Sequence, residues 1–496
     1  MTYEEAAAYF AGIPPFVPRK VKPGEELFNL DLIRVLLMRL GNPEKKIAAV
    51  HITGTNGKGS TSAFLTQMLT EGGYKTGLYT SPAMTRITER IRIGLTEIPE
   101  AAFAAYAERV RAEAEKMAAA GEGSPSEFEQ VTALAFLYFA EEACDIAVIE
   151  AGLGGRLDAT NVIPAPLLAI FTPVSFDHME VLGDTLALIA AEKAGIIKPG
   201  TGAVLSAPQE EEVLQVLKGR ASEMGVPFYA AGVPDKDVSS SAEPLPDNAP
   251  GDVSLHETVL PDSTLRDVSF AGSYQRDNAS LAAAAVRLLA DRFPVSEAAV
   301  RRGAETMRWP GRYELLQTDP CVIADGAHNA AGVRTLMESL SEQYPGKRFI
   351  FITGVLADKQ VDEMLDAAAP YAKMFFTVTP DSVRALPAEA LRERLRERGL
   401  KAEACESAAA AVRRALDAAD VSDVICAFGS LYYVGEVRKL FNAGDGSTFE
   451  EEASAPDPAG DRSRTVDENS IPGSEEKDRP KKKGLFSGLS KLFKKK

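Results

Sequence analysis

Cysteine is scarce in this sequence, and its few copies follow no pattern that would bind a metal. The four cysteines are scattered over 496 residues, at Cys144, Cys321, Cys405 and Cys426. Structural zinc sites need cysteine or histidine pairs a few residues apart, and disulfide-stapled secreted domains are far richer in cysteine. We therefore expect no cysteine-based metal site, no disulfide framework and a reducing compartment.

Long apolar runs and an excess of positive charge are also missing. No apolar stretch reaches the roughly 20 residues that a membrane-spanning helix needs. Residues 1–10 include two glutamates and lack the basic, apolar leader of a signal peptide. The formal net charge of −16 argues against a protein that binds nucleic acid over its whole body. We expect a cytoplasmic monomer without a nucleic-acid partner.

What the sequence does contain is a regular alternation of strand-like and helix-like segments between residues 46 and 433. Apolar strand-like runs such as 146–150 and 167–172 alternate with amphipathic stretches such as 100–119. This alternation predicts an α/β protein in which helices cover both faces of parallel sheets.

The most informative segment is the glycine-rich turn Gly54-Thr55-Asn56-Gly57-Lys58-Gly59-Ser60, which follows an apolar strand at 47–52. Its glycines let backbone N–H groups point at a phosphate chain, Lys58 adds a mobile positive charge, and Ser60 places a hydroxyl near a metal. Ile52 stands where the general phosphate-loop pattern has its first glycine, so this is a narrower variant. We predict a nucleotide phosphate site, with a helix that starts at Ser60.

Changes in composition predict the domain organisation. The stretch Trp309-Pro310-Gly311-Arg312 is typical of a hinge. It separates an N-terminal parallel-sheet P-loop ATPase domain, residues 1–308, from a smaller C-terminal Rossmann-like α/β domain, residues 309–443. Residues 233–261 are rich in Ser, Pro, Asp and Ala and are predicted to form a surface excursion.

Residues 444–496 are predicted to form a tail. Up to residue 480 the tail is polar and acidic, so we expect disorder. The segment 481–496 differs, because its leucines and phenylalanines fall on one helical face and lysines flank them. A basic amphipathic end predicts weak contact with an anionic membrane or an acidic partner, and a membrane- or partner-tethered module is one alternative reading of the chain.

Polar side chains follow several predicted strands at the point where each strand ends. Glu150 ends one strand, His178 follows the next, and Asp325 to Asn329 follow a strand of the second domain. Parallel sheets bind ligands at their carboxyl ends, and Mg²⁺ bound with a nucleotide takes one or two carboxylates. Glu150 and His178 are therefore candidate metal ligands, and Arg312 is a candidate phosphate clamp. Lys193 looks like an ordinary cation at a helix C-terminus.

Several motifs in order resemble folylpolyglutamate synthase and the related dihydrofolate synthase, a branch of the Mur ligase superfamily. The resemblance covers about residues 1–440. It rests on the glycine-rich turn and on Thr80-Ser81-Pro82, Glu150, Gly152-Leu153-Gly154-Gly155-Arg156-Leu157-Asp158-Ala159-Thr160-Asn161, Asp177-His178, Glu192-Lys193-Ala194-Gly195-Ile196, Trp309-Pro310-Gly311-Arg312 and Asp325-Gly326-Ala327-His328-Asn329. One departure is Tyr274, where the family usually has histidine.

The resemblance implies residues that bind ATP and magnesium. Those around the phosphates would be Thr55, Asn56, Gly57, Lys58, Gly59 and Ser60. Asn278, Arg312 and Asp325 would complete the nucleotide site from across the domain cleft. Ser81, Glu150 and His178 would bind Mg²⁺. Lys193 would be carbamylated and would help to bind a second Mg²⁺ ion.

The resemblance also implies substrates and catalytic residues. Phe128 and the turn Leu157-Asp158-Ala159 would lie near a pterin-bearing substrate, folate or dihydropteroate. His328 and Ser430 would lie on the second-domain side, with Lys58, Lys193 and His328 as catalytic residues. ATP would phosphorylate a substrate carboxylate, and L-glutamate would attack the acyl phosphate to form an amide. Whether the acceptor is dihydropteroate, folate or both stays open, and a peptidoglycan-type amino-acid ligase is the alternative enzyme.

Overall fold

The protein is seen here in a computed structural model that describes residues 1–14, 29–232, 265, 268 and 270–442. The described residues form two α/β units, each built on its own sheet, which confirms the predicted fold class. The predicted excursion at 233–261 and the predicted tail at 444–496 lie outside the described residues. The predicted hinge falls in the loop between the two units, and the division at residue 308 stays a prediction.

The first unit is built on an eight-stranded sheet. Its strands are β1 Ala49–Thr53, β2 Thr76–Tyr79, β3 Ile91–Ile93, β4 Thr96–Glu97, β5 Ile146–Glu150, β6 Leu168–Phe171, β7 Ala203–Ser206 and β8 Phe228–Ala230. Their order in the sheet is β4-β3-β2-β5-β1-β6-β7-β8. β1 therefore lies in the middle, paired in parallel with β5 and β6.

Helices cover both faces of this sheet. They are α1 Tyr3–Ala11, α2 Asp31–Arg39, α3 Lys58–Glu71, α4 Glu100–Ala119, α5 Glu127–Glu141, α6 Met179–Leu182, α7 Leu186–Ala194, α8 Glu211–Met224, α9 Ser273–Leu288 and α10 Glu297–Thr306. Short 3₁₀ turns occur at Pro43–Lys45, Ile87–Arg90 and Ala159–Val162. Local signals set the helix starts: α5, for example, begins with a capping box between Ser126 and Glu129.

The second unit has a six-stranded sheet. Its strands are β9 Glu314–Thr318, β10 Cys321–Ala324, β11 Phe349–Thr353, β12 Ala372–Thr377, β13 Ala402–Ala404 and β14 Val424–Phe428, in the order β13-β12-β11-β14-β10-β9. Its helices are α11 Ala330–Gln343, α12 Val361–Ala368, α13 Ala388–Glu397, α14 Ala408–Ala418 and α15 Leu431–Asn442, with a 3₁₀ turn at Ala369–Tyr371.

Side-chain alternation along β1 assigns its residues to two separate cores. Val50 and Ile52 pack in the core that also holds buried residues of α3, α9 and α10. Ala49 points the other way, into the core that holds α1, α2, α4 and α5. Every residue of β1 and β5 is buried, as expected for parallel strands covered on both faces.

Three strands at or next to a sheet edge differ from the predicted parallel arrangement. β3 pairs antiparallel with β2, β4 pairs antiparallel with β3, and β9 pairs antiparallel with β10. The connections between β3 and β4 and between β9 and β10 are two residues long, too short for a parallel crossover. Among the described residues, no helix has the length and apolar character that crossing a bilayer requires.

Candidate active site

The glycine-rich turn between β1 and α3 adopts a backbone that needs glycine at two positions. Gly54 has φ +148°, and a Cβ there would lie 1.9 Å from the Thr172 hydroxyl. Gly57 has φ +87°, and a Cβ there would lie 2.5 Å from Oδ1 of Asn278. The helix α3 begins at Lys58, two residues before the predicted start at Ser60. The turn is therefore tighter than the sequence pattern indicates.

Contacts with the loop after β6 hold this turn in place. The Thr55 amide donates to the Pro173 carbonyl at 2.9 Å, and the Thr55 hydroxyl donates to the Ser175 carbonyl at 3.0 Å. Lys58 folds back so that its ammonium donates to the Thr55 carbonyl at 3.1 Å. The turn thus presents its backbone and a lysine at the carboxyl end of the sheet, which suits a phosphate chain.

Glu150 lies beside this turn, at the end of β5, and is 4% exposed. Its Oε2 accepts a hydrogen bond from the Ser81 amide at 3.2 Å. Burial raises the pKa of Glu150, and the positive charge of Lys58 is the largest opposing influence. Among the described residues, no ion pair to this carboxylate is found. A buried carboxylate with free lone pairs beside a phosphate-type turn fits a divalent cation.

His178 lies further out than Ser81 and Glu150. It adopts a left-handed backbone (φ 51°) before α6, and 41% of its side chain is exposed. Burial within the cleft, followed by the charge of Lys359, lowers the pKa of His178 to about 4, so the ring is neutral and able to coordinate a metal. Within the described part of the chain, no three His, Cys, Asp or Glu side chains group closely enough to hold a metal by themselves.

Lys193 is not the ordinary helix-terminal cation that its position in the sequence indicates. It is 4% exposed, and its Nζ donates to the Gly54 carbonyl at 2.7 Å. Burial, followed by repulsion from Lys58, lowers the pKa of Lys193 to about 7. A large fraction of this amine is therefore neutral near physiological pH, directly under the phosphate-type turn.

Asp325 is a buried anchor in the second unit. Its carboxylate accepts hydrogen bonds from the Tyr274 hydroxyl at 2.5 Å, the Tyr313 amide at 2.8 Å and the Ala327 amide at 2.8 Å. Burial raises the pKa of Asp325, and Arg312 opposes that shift more than any other group. Tyr274, which departs from the family pattern, is thus a direct partner of a predicted site residue.

Arg312 lies between the two units, whereas Asn278 does not come from across the cleft. The charge of Arg312 opposes the rise in the pKa of both Asp325 and Glu150, so Arg312 acts on carboxylates of both units. Asn278 stands on α9, whose buried residues belong to the first unit's core. Its Oδ1 accepts from the Thr61 hydroxyl at 3.4 Å, against the glycine-rich turn. The expectation that Asn278 reaches the site from the second domain is therefore wrong.

Two residues of the second unit, Asn329 and Lys359, contact the first unit across the cleft, and sequence reasoning missed these contacts. The side-chain amides of Asn56 and Asn329 exchange two hydrogen bonds, of 3.1 and 3.0 Å. Lys359 pairs with Asp177 at 2.6 Å, with the two side chains only 7% and 10% exposed. Asn329 also donates to Asp177 at 3.2 Å. Lys359 lies in the loop between β11 and α12, six residues after the strand ends, so its place in the sequence does not single it out as Glu150 is singled out at the end of β5.

His328 faces the cleft from the second unit. Its Nδ1 lies 2.8 Å from the Gly326 carbonyl, so Nδ1 carries the proton and Nε2 is left as an acceptor. Burial, followed by the charge of Lys359, lowers the pKa of His328 to about 4. The ring is therefore neutral. Ser430 is buried at the end of β14, in the loop whose Gly429 amide donates to the Ala327 carbonyl at 2.8 Å.

The predicted acceptor residues of the first unit lie together beyond Glu150. A Cβ on Gly152 would lie 2.4 Å from the Phe128 ring and 3.2 Å from Oδ2 of Asp158. The Asp158 carboxylate accepts from the Leu153 amide at 2.7 Å. Leu157 is half-buried and Ala159 is buried beside it. The guanidinium of Arg90, which sequence reasoning also missed, stacks on Phe128 at 5.1 Å. An aromatic wall next to a carboxylate suits a flat, hydrogen-bonding ring.

Comparisons with known proteins match almost the whole of the chain that is described. The Mur ligase middle domain matches residues 52–286, and the Mur ligase glutamate ligase domain matches residues 311–431. The dihydrofolate synthase/folylpolyglutamate synthase of Bacillus subtilis is 36% identical over 440 residues, which cover 88% of this chain and 98% of that protein.

Solved structures that resemble this chain belong to the same family as these relatives. Folylpolyglutamate synthase of Mycobacterium tuberculosis complexed with ADP superposes with a TM-score of 0.75 at 28% identity, covering 90% of this chain and 99% of that one. An FPGS-AMPPCP-folate complex superposes with a TM-score of 0.71 at 29% identity, covering 89% of this chain and 99% of that one.

Proposed function

This chain belongs to the folylpolyglutamate synthase and dihydrofolate synthase family of Mur ligases, and we propose that its domain cleft is where the reaction takes place. It is an ATP-dependent ligase that joins L-glutamate to a folate-type acceptor through an amide bond. The folate names of the relatives favour this activity over a peptidoglycan-type ligase. The observation that carries the assignment of the site is the glycine-rich turn with Lys58 next to the buried carboxylate of Glu150.

The chemistry requires two steps in a closed cleft. A carboxylate of the acceptor attacks the γ-phosphorus of ATP, the bond from that phosphorus to the β–γ bridging oxygen breaks, and ADP leaves. The amine of L-glutamate then attacks the acyl phosphate, phosphate leaves, and the amine gives up a proton. Water must be excluded because it would hydrolyse the acyl phosphate. The two cross-domain contacts, Asn56–Asn329 and Asp177–Lys359, support closure of that kind.

The residues around the phosphates are assigned from their positions. Thr55, Asn56, Gly57, Lys58, Gly59 and Ser60 would surround the β- and γ-phosphates of ATP. Lys58 neutralises charge that develops on the transferring phosphoryl group, and Arg312 approaches from the second domain. Asn278 supports the turn from α9, and Asp325 holds the loop that faces it.

Ser81, Glu150 and His178 are the proposed magnesium ligands. They fit because Glu150 is a buried carboxylate without a cationic partner among the described residues, and because His178 is neutral. When bound, the ion neutralises the triphosphate and orients it for in-line transfer. The protein's own part is to hold Glu150 on a rigid central strand, paired with β1.

Lys193 is proposed to carry a carbamate. Its neutral amine would attack carbon dioxide, forming an N–C bond and releasing a proton, which turns a buried cation into an anion able to bind a second magnesium ion. The pKa of about 7 supports this proposal, because only the free amine reacts. Activity of a Lys193→Ala variant that returns on addition of a short carboxylic acid would test it; an unaffected variant would contradict it.

His328 is proposed to act on the amine of L-glutamate. With a pKa of about 4 it is a poor proton acceptor near neutral pH. Its bare Nε2 instead orients the incoming amine through a hydrogen bond. Ser430 is proposed to contact the same substrate from the end of β14.

The acceptor is proposed to bind against Phe128 and the turn of Leu157, Asp158 and Ala159. One assay separates the choices: glutamate-dependent ADP release with dihydropteroate, with tetrahydrofolate and with a UDP-linked muropeptide. We expect release with at least one pterin and none with the muropeptide. Release with the muropeptide alone would contradict the proposal.

A further inference from the structure

A fully buried histidine in the central strand has no part in the chemistry described so far. His51 is 0% exposed, and its Nε2 lies 2.8 Å from the Thr160 hydroxyl. Its Nδ1 is also buried and has no hydrogen-bond partner among the described residues. A buried nitrogen without a hydrogen bond destabilises the fold, so a nonpolar residue would be more stable here unless the ring has a use.

The hydrogen bonds beyond Thr160 define which atoms donate. The Asp158 carboxylate accepts from the Thr160 amide at 3.0 Å, from the Thr160 hydroxyl at 2.5 Å and from the Leu153 amide at 2.7 Å. The single hydroxyl proton of Thr160 is therefore committed to Asp158. Its oxygen can only accept from His51, which places the ring proton on Nε2.

The bare Nδ1 follows from the same chain. Burial, followed by the charge of Lys198, lowers the pKa of His51 well below 6.5, so the ring is neutral and carries one proton. With that proton on Nε2, Nδ1 is an acceptor that meets no donor among the described residues. His51, Thr160 and Asp158 thus form one directed chain of donors, which we call the His51 relay.

We propose that the His51 relay is a positioning device for the acceptor-binding turn, with His51 and Thr160 as positioning residues. It rests on the proposed function, in which Asp158 and Phe128 contact the pterin-bearing acceptor. Oδ2 of Asp158 fixes the backbone at Leu153, next to Gly152, where a single added Cβ would overlap the Phe128 ring. In a turn packed that closely, a small shift of Asp158 changes the space left for the acceptor.

The relay also connects the two substrates through one strand. His51 lies three residues before Gly54, where the phosphate-type turn begins, and both are carried by β1 or its end. The acceptor's carboxylate has to meet the γ-phosphorus of ATP within bonding reach. Anchoring the acceptor turn to the strand that presents the phosphates sets that distance without a contact to either substrate.

The test separates the acceptor from ATP. In Thr160→Val the hydroxyl is lost at nearly constant volume, and Thr160→Ser restores it. In His51→Leu the donor is lost, and in His51→Gln an amide donor is retained. Thr66→Val is the matched control, because Thr66 is also fully buried and its hydroxyl has no partner among the described residues. KM and kcat are measured for the active pterin, for ATP and for L-glutamate.

We expect Thr160→Val and His51→Leu to raise the KM of the pterin about tenfold, the effect of one lost buried hydrogen bond, while the KM of ATP changes less than about twofold. Thr160→Ser and His51→Gln should recover most of that loss, and Thr66→Val should leave every KM unchanged. Any one of three results would overturn the positioning role. They are equal rises in the KM of pterin and ATP, no rise in either KM, and a Thr160→Ser variant as defective as Thr160→Val.

A spectroscopic measurement reads the relay without any assay and without a variant that has to fold. ¹⁵N spectra of the histidine-labelled wild-type protein should show one buried ring protonated at Nε2 and bare at Nδ1. A signal assigned to His51 that shows its proton on Nδ1 would overturn the relay, whereas His328 is expected to carry its proton on Nδ1. Wild-type protein that adds glutamate to no pterin would overturn the proposed function itself, whereas an active wild type with unchanged variants would overturn the relay alone.

Discussion

The two sides of the cleft are built in different ways. On the first-domain side, Gly54, Lys58 and Glu150 lie in or beside one short turn, and backbone geometry holds them. On the second-domain side, Lys359 pairs with Asp177, 182 residues away. Asn329 bonds to Asn56, 273 residues away. The first side is assembled within one domain, whereas the second is completed only when the two domains meet.

The difference between the two sides indicates which contacts depend on closure of the domains. Loss of a group from the first side should remove chemistry while the protein stays folded. Loss of a group from the second side should weaken the association of the domains and chemistry together. Four changes to the protein test whether the two sides of the cleft differ in this way, and they are given in order of decreasing effect.

Lys58→Ala should lower the rate of glutamate-dependent ADP release at least about a hundredfold, because the charge on the transferring phosphoryl group loses a preorganised cation. The circular dichroism spectrum and the melting temperature should stay close to those of the wild type. Lys116→Ala, a lysine on α4 whose side chain is 63% exposed, is the matched control and should be fully active. An active Lys58→Ala would remove the phosphate-site assignment.

Lys359→Met should lower both kcat, by about tenfold, and the free energy of unfolding, by roughly 3 kcal/mol, because it leaves Asp177 buried without its partner. Combining it with Asp177→Asn should cost less than the sum, with a coupling of about 0.5–3 kcal/mol in urea unfolding. Arg109→Met breaks a pair of the same 2.6 Å length that is nearly half exposed, and should have little effect. If the effects of Lys359→Met and Asp177→Asn on the free energy of unfolding were strictly additive, the ion pair between these residues would not hold the cleft closed.

Lys193→Met should change stability in a pH-dependent way. The folded-state pKa of Lys193 is about 7, below that of the unfolded chain, so between these values the unfolded state binds the extra proton. Wild-type stability therefore rises with pH across that window, and the cost of the buried charge is greatest below about pH 7. In buffer free of bicarbonate and metal, the variant's advantage in melting temperature should shrink from about pH 6 to pH 9. A constant difference would contradict the lowered pKa.

Removal of residues 481–496 should leave kcat unchanged, because none of the residues assigned to the site belongs to that segment. It should reduce co-sedimentation with anionic vesicles, since each lysine near such a surface contributes about 1 kcal/mol. Neutral vesicles serve as the control. Equal pelleting of both forms would end the prediction of membrane contact.

The parts of the molecule that sequence reasoning predicted are those determined by neighbouring residues. The strand at 146–150, the helix at 100–119 and the glycine-rich turn were predicted at nearly their observed positions, because periodicity and glycine spacing are local signals. Glu150 followed from its place at a strand end. The start of α3 at Lys58 was missed because the left-handed Gly57 begins the helix two residues early.

What sequence reasoning missed depends on packing between distant segments. Nothing near Lys193 in the sequence shows that its Nζ lies under Gly54, 139 residues away. The pairing of Lys359 with Asp177 needs both sheets in place, because the two residues lie 182 positions apart and in different units. The position of His51 within a strand gives no sign of its partner, because Thr160 lies on a turn 109 residues away that only the fold brings close to β1.

The two hydrogen bonds between the side-chain amides of Asn56 and Asn329 have a mechanical consequence. Asn56 belongs to the glycine-rich turn itself, and Asn329 caps the first turn of α11. A movement of the second domain away from the first would break both hydrogen bonds and free the loop that is proposed to bind the nucleotide. We therefore expect opening of the cleft and weakening of nucleotide binding to be coupled.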